Sequence, residues 1–159
     1  SRIDSGNMSF HCEDCSAHHF AESVYQTHQV IILPPVEFIK EFPDEDVTIH
    51  IDRMRLTQVI TNFLGNAKKF TSQGHIKLGY FCDKEKKEIH FFVEDSGAGI
   101  PKEELQMIFE RFYKRNEFVQ GVGLGLAISK VIVEKMNGHI DVQSEVNKGR
   151  RFTAVLPYL

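Results

Sequence analysis

The chain has 159 residues, of which 42% are hydrophobic and 26% charged, and its formal net charge is −3. This length suits one domain, and the composition excludes a collagen-like repeat, a disordered chain and a disulfide scaffold. Because acidic and basic residues are interspersed, we expect no nucleic-acid partner and no direct membrane contact.

The N-terminal residues suggest a boundary between two units. Residues 1–7 read as the frayed end of a preceding segment, and residues 8–159 are expected to form the domain. Within the domain, residues 10–15 fit a short strand. Residues 17–28 fit a helix, because Phe20 and the apolar residues after it recur at helical spacing.

Two alternating segments follow. Residues 36–42 and 47–51 each alternate apolar and polar side chains, and the turn-forming residues 43–46 separate them. This arrangement predicts a β-hairpin.

A C-x-x-C motif at Cys12 and Cys15 precedes His18 and His19. Metal sites usually draw their ligands from two separated pairs, so zinc binding is here the minor alternative to free thiols. The odd total of three cysteines favours reduced thiols. No apolar run approaches the roughly 20 residues of a membrane span, so we expect a cytoplasmic location.

The clearest helix starts after Asp52, which can cap it. Its apolar residues recur every three or four positions and form one stripe: Leu56, Val59, Ile60, Phe63, Leu64 and Ala67. Beyond Gly74, residues 75–82 and 88–94 alternate in polarity and predict an antiparallel strand pair.

The C-terminal part predicts two more helices and two more strands. Pro101 can open a short helix that ends near Phe112, and a second helix contains the apolar series from Leu124 to Met136. Gly138 stands where a left-handed C-terminal cap is expected.

Residues 139–144 and 151–157 predict the last two strands. Helices interleaved with strand pairs indicate an α/β sandwich. Its sheet should be mixed but largely antiparallel and covered on one face by helices.

Three groups of residues point to chemistry, and the first lies on the long helix. Asn62, Asn66 and Lys69 are spaced so that they project from one side of that helix. Amide oxygens suit a magnesium ion that already carries phosphate oxygens, and an ammonium group neutralises phosphate. Solvated amides with no ligand are the alternative for such a pair alone.

The second group is the D-x-G-x-G motif of Asp95, Gly97 and Gly99, which follows a strand. A carboxylate there can accept a hydrogen bond from an exocyclic amine, and glycines let the backbone approach a flat base. In isolation, the motif is equally typical of a turn.

The third group is Gly121, Gly123 and Gly125, which lead into a helix. Backbone amides at a glycine-rich helix N-terminus form an anion site that suits phosphate. The spacing fits neither the Rossmann fingerprint nor the Walker A motif.

Together these groups resemble the ATP-binding catalytic domain of sensor histidine kinases, in the GHKL superfamily with the Bergerat fold. Residues 62–71 read NFLGNAKKFT and resemble the N box, and residues 95–100, DSGAGI, resemble the first glycine box. Residues 108–113 are similar to the F box, residues 121–128 to the second glycine box, and residues 149–153 to the last strand.

The resemblance implies roles for individual residues. Asn66 would ligate magnesium with Asn62 assisting, Lys69 would contact phosphate, and Asp95 would read the adenine amino group. Asn62 and Lys69 would be the catalytic residues. Further nucleotide contacts are implied for Phe70, Gly97, Gly99, Ile100, Phe112, Gly121, Gly123, Leu124, Gly125, Leu126 and Thr153.

A lid over the nucleotide is implied at about residues 113–120. Lys114 or Arg115 would steady the γ-phosphate, with a solvated loop charge as the alternative for either. Arg150 stands where the family often has Ser, and we expect this difference to alter only a surface turn.

The implied function is transfer of the γ-phosphate of Mg-ATP to a histidine on a separate dimerisation domain, of which residues 1–7 would be the remnant. A response-regulator receiver domain would accept the phosphoryl group next. The parent would be a homodimer, anchored in the membrane with this domain on the cytoplasmic side. The alternatives are an ATP-hydrolysing GHKL enzyme and a non-catalytic nucleotide-sensing module.

Overall fold

The structure, a computed structural model, describes residues 9–97, 103, 123–145 and 148–158. Three helices and seven strands are described within these ranges. In chain order they are β1 (Glu13–Ser16), α1 (Ala17–Gln29), β2 (Val36–Glu41), β3 (Thr48–Ile51), α2 (Arg53–Phe70), β4 (Gly74–Asp83), β5 (Glu88–Asp95), α3 (Gly123–Lys135), β6 (His139–Glu145) and β7 (Gly149–Pro157).

Five of the strands form one sheet in the order β2-β4-β5-β7-β6. β2 runs parallel to β4, and every other neighbouring pair in this sheet is antiparallel. β1 and β3 form a separate antiparallel pair. The predicted α/β sandwich with a mixed, largely antiparallel sheet is therefore confirmed.

The predicted hairpin of β2 and β3 is wrong. β2 lies beside β4, with Val36 opposite Gly74, and β3 lies beside β1. The segment between β2 and β3 instead contacts the start of α1, where the Asp46 carboxylate accepts hydrogen bonds from the His18 amide and the Ser16 hydroxyl. Asp46 of the acidic turn therefore holds a helix N-terminus, and the two strands separate.

Helix α2 starts as predicted. The Asp52 carboxylate accepts from the Arg55 amide at 3.1 Å and from the His11 amide at 2.8 Å, so it satisfies a free N–H of the first turn and also fixes the N-terminal segment. The whole predicted apolar stripe is buried: Leu56, Val59, Ile60, Phe63, Leu64 and Ala67.

The end of α3 differs from the prediction. Asn137, with φ of 62°, is the left-handed residue, while the Gly138 amide donates back to the Val133 carbonyl at 3.0 Å. A Cβ on Gly138 would lie 2.1 Å from the Val155 carbonyl oxygen. Glycine is required there because the chain passes close to β7.

The core lies between the helices and one face of the five-stranded sheet. From β5 it takes Ile89, Phe91 and Val93, and from β7 it takes Phe152, Ala154 and Leu156. Because strand side chains alternate between faces, Asp95 and Arg150 lie on this same face. Glu94 and Arg151 lie on the opposite face.

All three cysteines are free thiols, with Cys12 exposed and Cys15 and Cys82 half-buried. Burial is the largest cause that raises the pKa of Cys15 and of Cys82 above the usual thiol value. No helix in the described ranges is both long enough and apolar enough to cross a bilayer.

Tyr80 carries a polar atom into the core. Its ring packs against Phe42 and Phe91, and its hydroxyl has no hydrogen-bond partner among the described residues. Burial raises the pKa of Tyr80 to about 12. The hydroxyl is thus desolvated without a compensating bond, which is a cost to folding.

Replacing Tyr80 by Phe is therefore expected to raise the free energy of unfolding, by about 1 kcal/mol. Tyr25→Phe is the matched control, because the Tyr25 hydroxyl donates to the Phe38 carbonyl at 3.1 Å. Loss of this hydrogen bond should lower the free energy of unfolding by about 1 kcal/mol. Urea denaturation measures both, and a loss of stability in Tyr80→Phe would contradict the assignment.

Candidate nucleotide-binding site

The predicted site residues come from segments far apart in the chain, and the structure brings several of them together. The C-terminal half of α2 lies beside the N-terminal turn of α3, and Asn62 bonds across this contact. The end of α2 also reaches the sheet, where Asp95 on β5 is paired with Arg150 on β7. One end of the sandwich thus collects residues of the N box and of both glycine boxes.

Asn62 joins the two helices. Its Nδ2 group donates to the Gly125 carbonyl and to the Ser129 hydroxyl, each at 3.1 Å. Because Nδ2 takes both acceptors on α3, any ligand role of this side chain falls to the amide oxygen Oδ1. Ser129 is fully buried and was not among the predicted residues, although it lies one helical turn after Gly125.

Asn66 follows one turn later on α2 and is half-buried. Its backbone carbonyl accepts from Arg150 Nη2 at 3.3 Å, so the end of the helix is tied to β7. Lys69 is exposed, with its ammonium 5.4 Å from the centre of the Phe70 ring. The three polar residues lie along one side of α2, as their spacing predicted.

Asp95 is more enclosed than the polar residues of α2. Only 3% of it is exposed, and both of its carboxylate oxygens have partners. Oδ1 accepts from the Gly97 amide at 3.0 Å, and Oδ2 accepts from Arg150 Nη2 at 3.4 Å. Each oxygen keeps a second lone pair, so the carboxylate can still accept from an amine.

Gly97 stands where no side chain fits. A Cβ there would lie 2.5 Å from the Phe70 carbonyl oxygen and 3.1 Å from both Asp95 Oδ1 and Thr71 Oγ1. Thr71 is 4% exposed, and its hydroxyl has no partner among the described residues. An unpaired buried hydroxyl beside a glycine cradle and a carboxylate indicates room for a polar ligand. Thr71 is the last residue of the N box but was not among the predicted site residues.

Arg150 is not a surface residue, so that prediction is wrong. It is 5% exposed and lies opposite Asp95 in the β5–β7 register, with its guanidinium 4.4 Å from the centre of the Phe70 ring. Burial lowers the pKa of Arg150 from its usual value, and the Asp95 charge opposes this. The guanidinium keeps its charge at neutral pH, because an arginine side chain is effectively always protonated in proteins.

The described part of the second glycine box, from Gly123 onward, forms the start of α3. Gly125 packs against Asn62, since a Cβ at Gly125 would lie 3.3 Å from the Asn62 Cγ. Leu126 was predicted to contact the nucleotide, but its side chain is 1% exposed and belongs to the core. Only the backbone of Leu126 could therefore contact a nucleotide.

Thr153 was also predicted to contact the nucleotide, and the structure contradicts this. It pairs with Phe92 on β5 and Asp141 on β6, and its side chain lies on the face opposite to Phe152. That opposite face carries the Arg151 guanidinium over the Phe92 ring. The sheet therefore separates Thr153 from Asp95.

The remaining predictions lie outside the described residues. These are the short helix that starts at Pro101, the lid at residues 113–120, and the site residues Gly99, Ile100, Phe112, Lys114, Arg115 and Gly121.

The collected groups define a class of site. A buried carboxylate and a glycine cradle suit a hydrogen-bonding base, while a glycine-led helix N-terminus suits an anion. Comparison with known proteins identifies the family. The histidine kinase-, DNA gyrase B- and HSP90-like ATPase family matches residues 51–159.

The chain is similar to bacterial sensor kinases. The chain is 34% identical over 163 residues to the sensor histidine kinase WalK of Bacillus subtilis, a match that covers 99% of this chain and 27% of WalK. It is 43% identical over 110 residues to the sensor protein SrrB of Staphylococcus aureus, covering 67% of this chain and 19% of SrrB. The chain therefore spans about a quarter or less of these relatives.

Solved structures of similar fold include a histidine kinase domain. Full-length ShkA in complex with AMPPNP superposes with a TM-score of 0.80 at 26% identity, covering 95% of this chain and 32% of ShkA. The catalytic domain of the histidine kinase ThkA gives 0.76 at 26% identity, covering 94% of this chain and 97% of that domain. The chain belongs to the histidine kinase-, DNA gyrase B- and HSP90-like ATPase family, as an ATP-binding domain of the histidine kinase type.

Proposed function

We propose that this domain transfers the γ-phosphate of Mg-ATP to a histidine on a separate dimerisation domain. The observation that carries the proposal is the convergence of Asp95, the α2 amides and the start of α3 at one end of the sandwich. The sensor kinases that match the chain support it.

ATP fits this end of the sandwich. The adenine amino group would donate to Asp95, and Gly97 would let the base approach the backbone. Thr71 would supply a hydroxyl to the base or to a water beside it. The phosphates would meet the amides at the start of α3 and the Lys69 ammonium, because both favour negative charge.

A magnesium ion fits the same side of α2. Asn66 Oδ1 would be its protein ligand and Asn62 Oδ1 would assist, since hard oxygen donors together with phosphate oxygens are what magnesium prefers. When bound, the ion would neutralise phosphate charge. Asn62 keeps its Nδ2 on α3, so its oxygen would be held in a fixed direction.

The residues favour transfer to a protein over hydrolysis. ATP-hydrolysing relatives carry a general-base glutamate four residues before the magnesium asparagine, and here that position is Asn62. An amide does not take a proton at neutral pH, so Asn62 cannot activate a water. Phosphoryl transfer needs mainly positioning and charge neutralisation, which this chain's groups provide.

The partners follow from this chemistry. The histidine that receives the phosphoryl group would lie on a dimerisation domain, and an aspartate of a response-regulator receiver domain would receive it next. The parent protein would be a homodimer anchored in the membrane, with this domain on the cytoplasmic side. Lys114 or Arg115 in the lid would steady the γ-phosphate.

The test combines the 159-residue chain with a purified dimerisation domain and ATP labelled at the γ-phosphate. Acid-labile label on the histidine of that domain is the expected result. Nucleotide binding without transfer would favour the sensing module instead. Brisk phosphate release by the chain alone would favour the hydrolase.

Asn66→Ala is expected to remove the magnesium dependence of ATP-analogue binding. The affinity should fall at least about tenfold, because mutating even a residue that only supports a metal ligand has an effect of that size. Gln58→Ala is the matched control, an amide on the same helix whose oxygen accepts from Arg55. Calorimetric titration with and without magnesium measures both. Equal affinities in Asn66→Ala and the unaltered chain would place the metal elsewhere.

A further inference from the structure

We propose that Ser129 is a positioning residue for the magnesium site, which holds the Asn62 amide group in the orientation that leaves its oxygen free for the metal ion. The inference rests on the proposed function, because it concerns the magnesium site of that function. Its origin is the contact between α2 and α3, where Asn62 Nδ2 donates to both the Gly125 carbonyl and the Ser129 hydroxyl.

The orientation of an asparagine amide depends on its hydrogen-bond partners. The oxygen and nitrogen ends have nearly the same shape, so packing alone does not decide which end points where. The Gly125 carbonyl can only accept, so the end that lies 3.1 Å from it must be Nδ2. An inverted amide would set one oxygen against another. The carbonyl therefore selects the orientation of the group.

Ser129 removes the remaining freedom of the amide. Nδ2 carries two hydrogens, and the Ser129 hydroxyl accepts the second one at 3.1 Å, the same distance as the bond to Gly125. Both distances lie in the usual range for N–H···O bonds. Because both hydrogens are bound to α3, a rotation of the amide group would break two hydrogen bonds at once.

The Ser129 hydroxyl is shielded from water. Ser129 is 0% exposed and lies four residues after Gly125, so both acceptors lie on one side of α3. A Cβ on Gly125 would lie 3.3 Å from the Asn62 Cγ and 3.4 Å from its Oδ1, so the amide packs directly on the α3 backbone. Without the hydroxyl, one Nδ2 hydrogen would be left unpaired and the amide would turn more freely.

The other end of the amide is left for a ligand. Asn62 is half-buried, and none of the described residues donates a hydrogen bond to its Oδ1. Asn66, the proposed protein ligand of magnesium, follows one turn later on the same side of α2. An oxygen that is already held in place loses little rotational freedom on contact with the metal. Residues that support metal ligands in this way change metal affinity by about 10–100-fold.

The experiment measures the Kd of a non-hydrolysable ATP analogue on the 159-residue chain, with and without magnesium, by calorimetry. Ser129→Ala should lose about tenfold of the affinity that magnesium adds, and it should keep the Kd measured without magnesium. Ser129→Cys, which keeps the volume but has a weaker acceptor, should change in the same direction. Thr27→Ala is the control for loss of a helix hydroxyl, since Thr27 donates to the Ser23 carbonyl within α1, and it should change neither Kd.

A double variant tests whether Ser129 acts through Asn62. Adding Ser129→Ala to Asn62→Ala should cause no further loss of magnesium-dependent affinity, because no amide remains to be positioned. Hydrogen exchange gives a second readout that needs neither nucleotide nor metal. The side-chain amide protons of Asn62, assigned in NMR spectra by their absence in Asn62→Ala, should exchange faster in Ser129→Ala than in the unaltered chain.

The outcomes separate this inference from the proposed function. Equal losses of affinity with and without magnesium in Ser129→Ala, or a further loss in the double variant, would show that the hydroxyl only packs the two helices. Unchanged exchange of the Asn62 amide would show the same. Each of these results would overturn the inference and leave the ATP site standing. No binding of the analogue by the unaltered chain would refute the proposed function, and the inference with it. If Ser129→Ala does not fold, Ser129→Cys decides.

Discussion

Asp95→Asn is expected to weaken ATP-analogue binding about tenfold to hundredfold, the effect of losing a hydrogen bond to a charged group. It is also expected to destabilise the fold by about 3 kcal/mol, because it leaves the buried Arg150 guanidinium without its counter-charge. Both residues of the pair are nearly fully buried, so solvent screens neither. Titration calorimetry and urea denaturation measure the two effects.

The two effects of Asp95→Asn can be separated. In the double variant Asp95→Asn/Arg150→Gln the buried charge is gone, so most of the lost stability should return while the affinity stays low. Persistently low stability together with restored affinity would contradict the recognition role of Asp95.

Glu94→Gln is the control for Asp95→Asn, because it removes a carboxylate from the neighbouring residue of the same strand. Glu94 precedes Asp95 but lies on the opposite face and pairs with Arg151. Burial raises the pKa of Glu94, but the Arg151 bond and charge outweigh it, so the net pKa is lowered. Because this pair is partly exposed, its loss should cost below about 1 kcal/mol and leave nucleotide affinity unchanged.

Gly149→Ala is expected to destabilise the protein by about 3 kcal/mol, since it combines backbone strain with overpacking. Gly149 has φ of +106°, and a Cβ there would lie 1.8 Å from the Asp95 carbonyl oxygen. The clash falls on the backbone of Asp95, which is proposed to bind the base, so affinity for the ATP analogue should fall as well. A lowering of the melting temperature by about 6–12 °C is expected for a chain of this size.

Gly65→Ala is the matched control and should have the opposite sign. Gly65 lies within α2, and a Cβ there would meet no atom within 4 Å. Alanine should therefore stabilise the helix by about 1 kcal/mol. Equal stabilities of the Gly149→Ala and Gly65→Ala variants would show that the β7 start tolerates a side chain.

The three described helices and most of the described strands could be predicted because their signals are local. The apolar stripe of α2 repeats every three or four residues, and Asp52 stands at the capping position. The end of α3 shows the limit of local reasoning. Gly138 looked like a cap, but Asn137 holds the left-handed conformation and Gly138 is needed for its approach to Val155.

Strand partners could not be predicted, because pairing depends on contacts between distant segments. β2 and β3 are adjacent in sequence and each alternates in polarity, which fits a hairpin as well as two separate pairings. The contact of Asp46 with the start of α1 directs the chain away from a hairpin.

The sequence by itself determined the kind of protein, because the N box and the glycine boxes are short motifs whose order and spacing can be recognised without the fold. Only the tertiary structure decided which side chains share the pocket. The β5–β7 register sets Arg150 against Asp95 and leaves Thr153 on the other face. The physical reason is that successive side chains of a strand point to opposite faces of the sheet. A shift of one residue in register would therefore move a side chain from the pocket face to the opposite face.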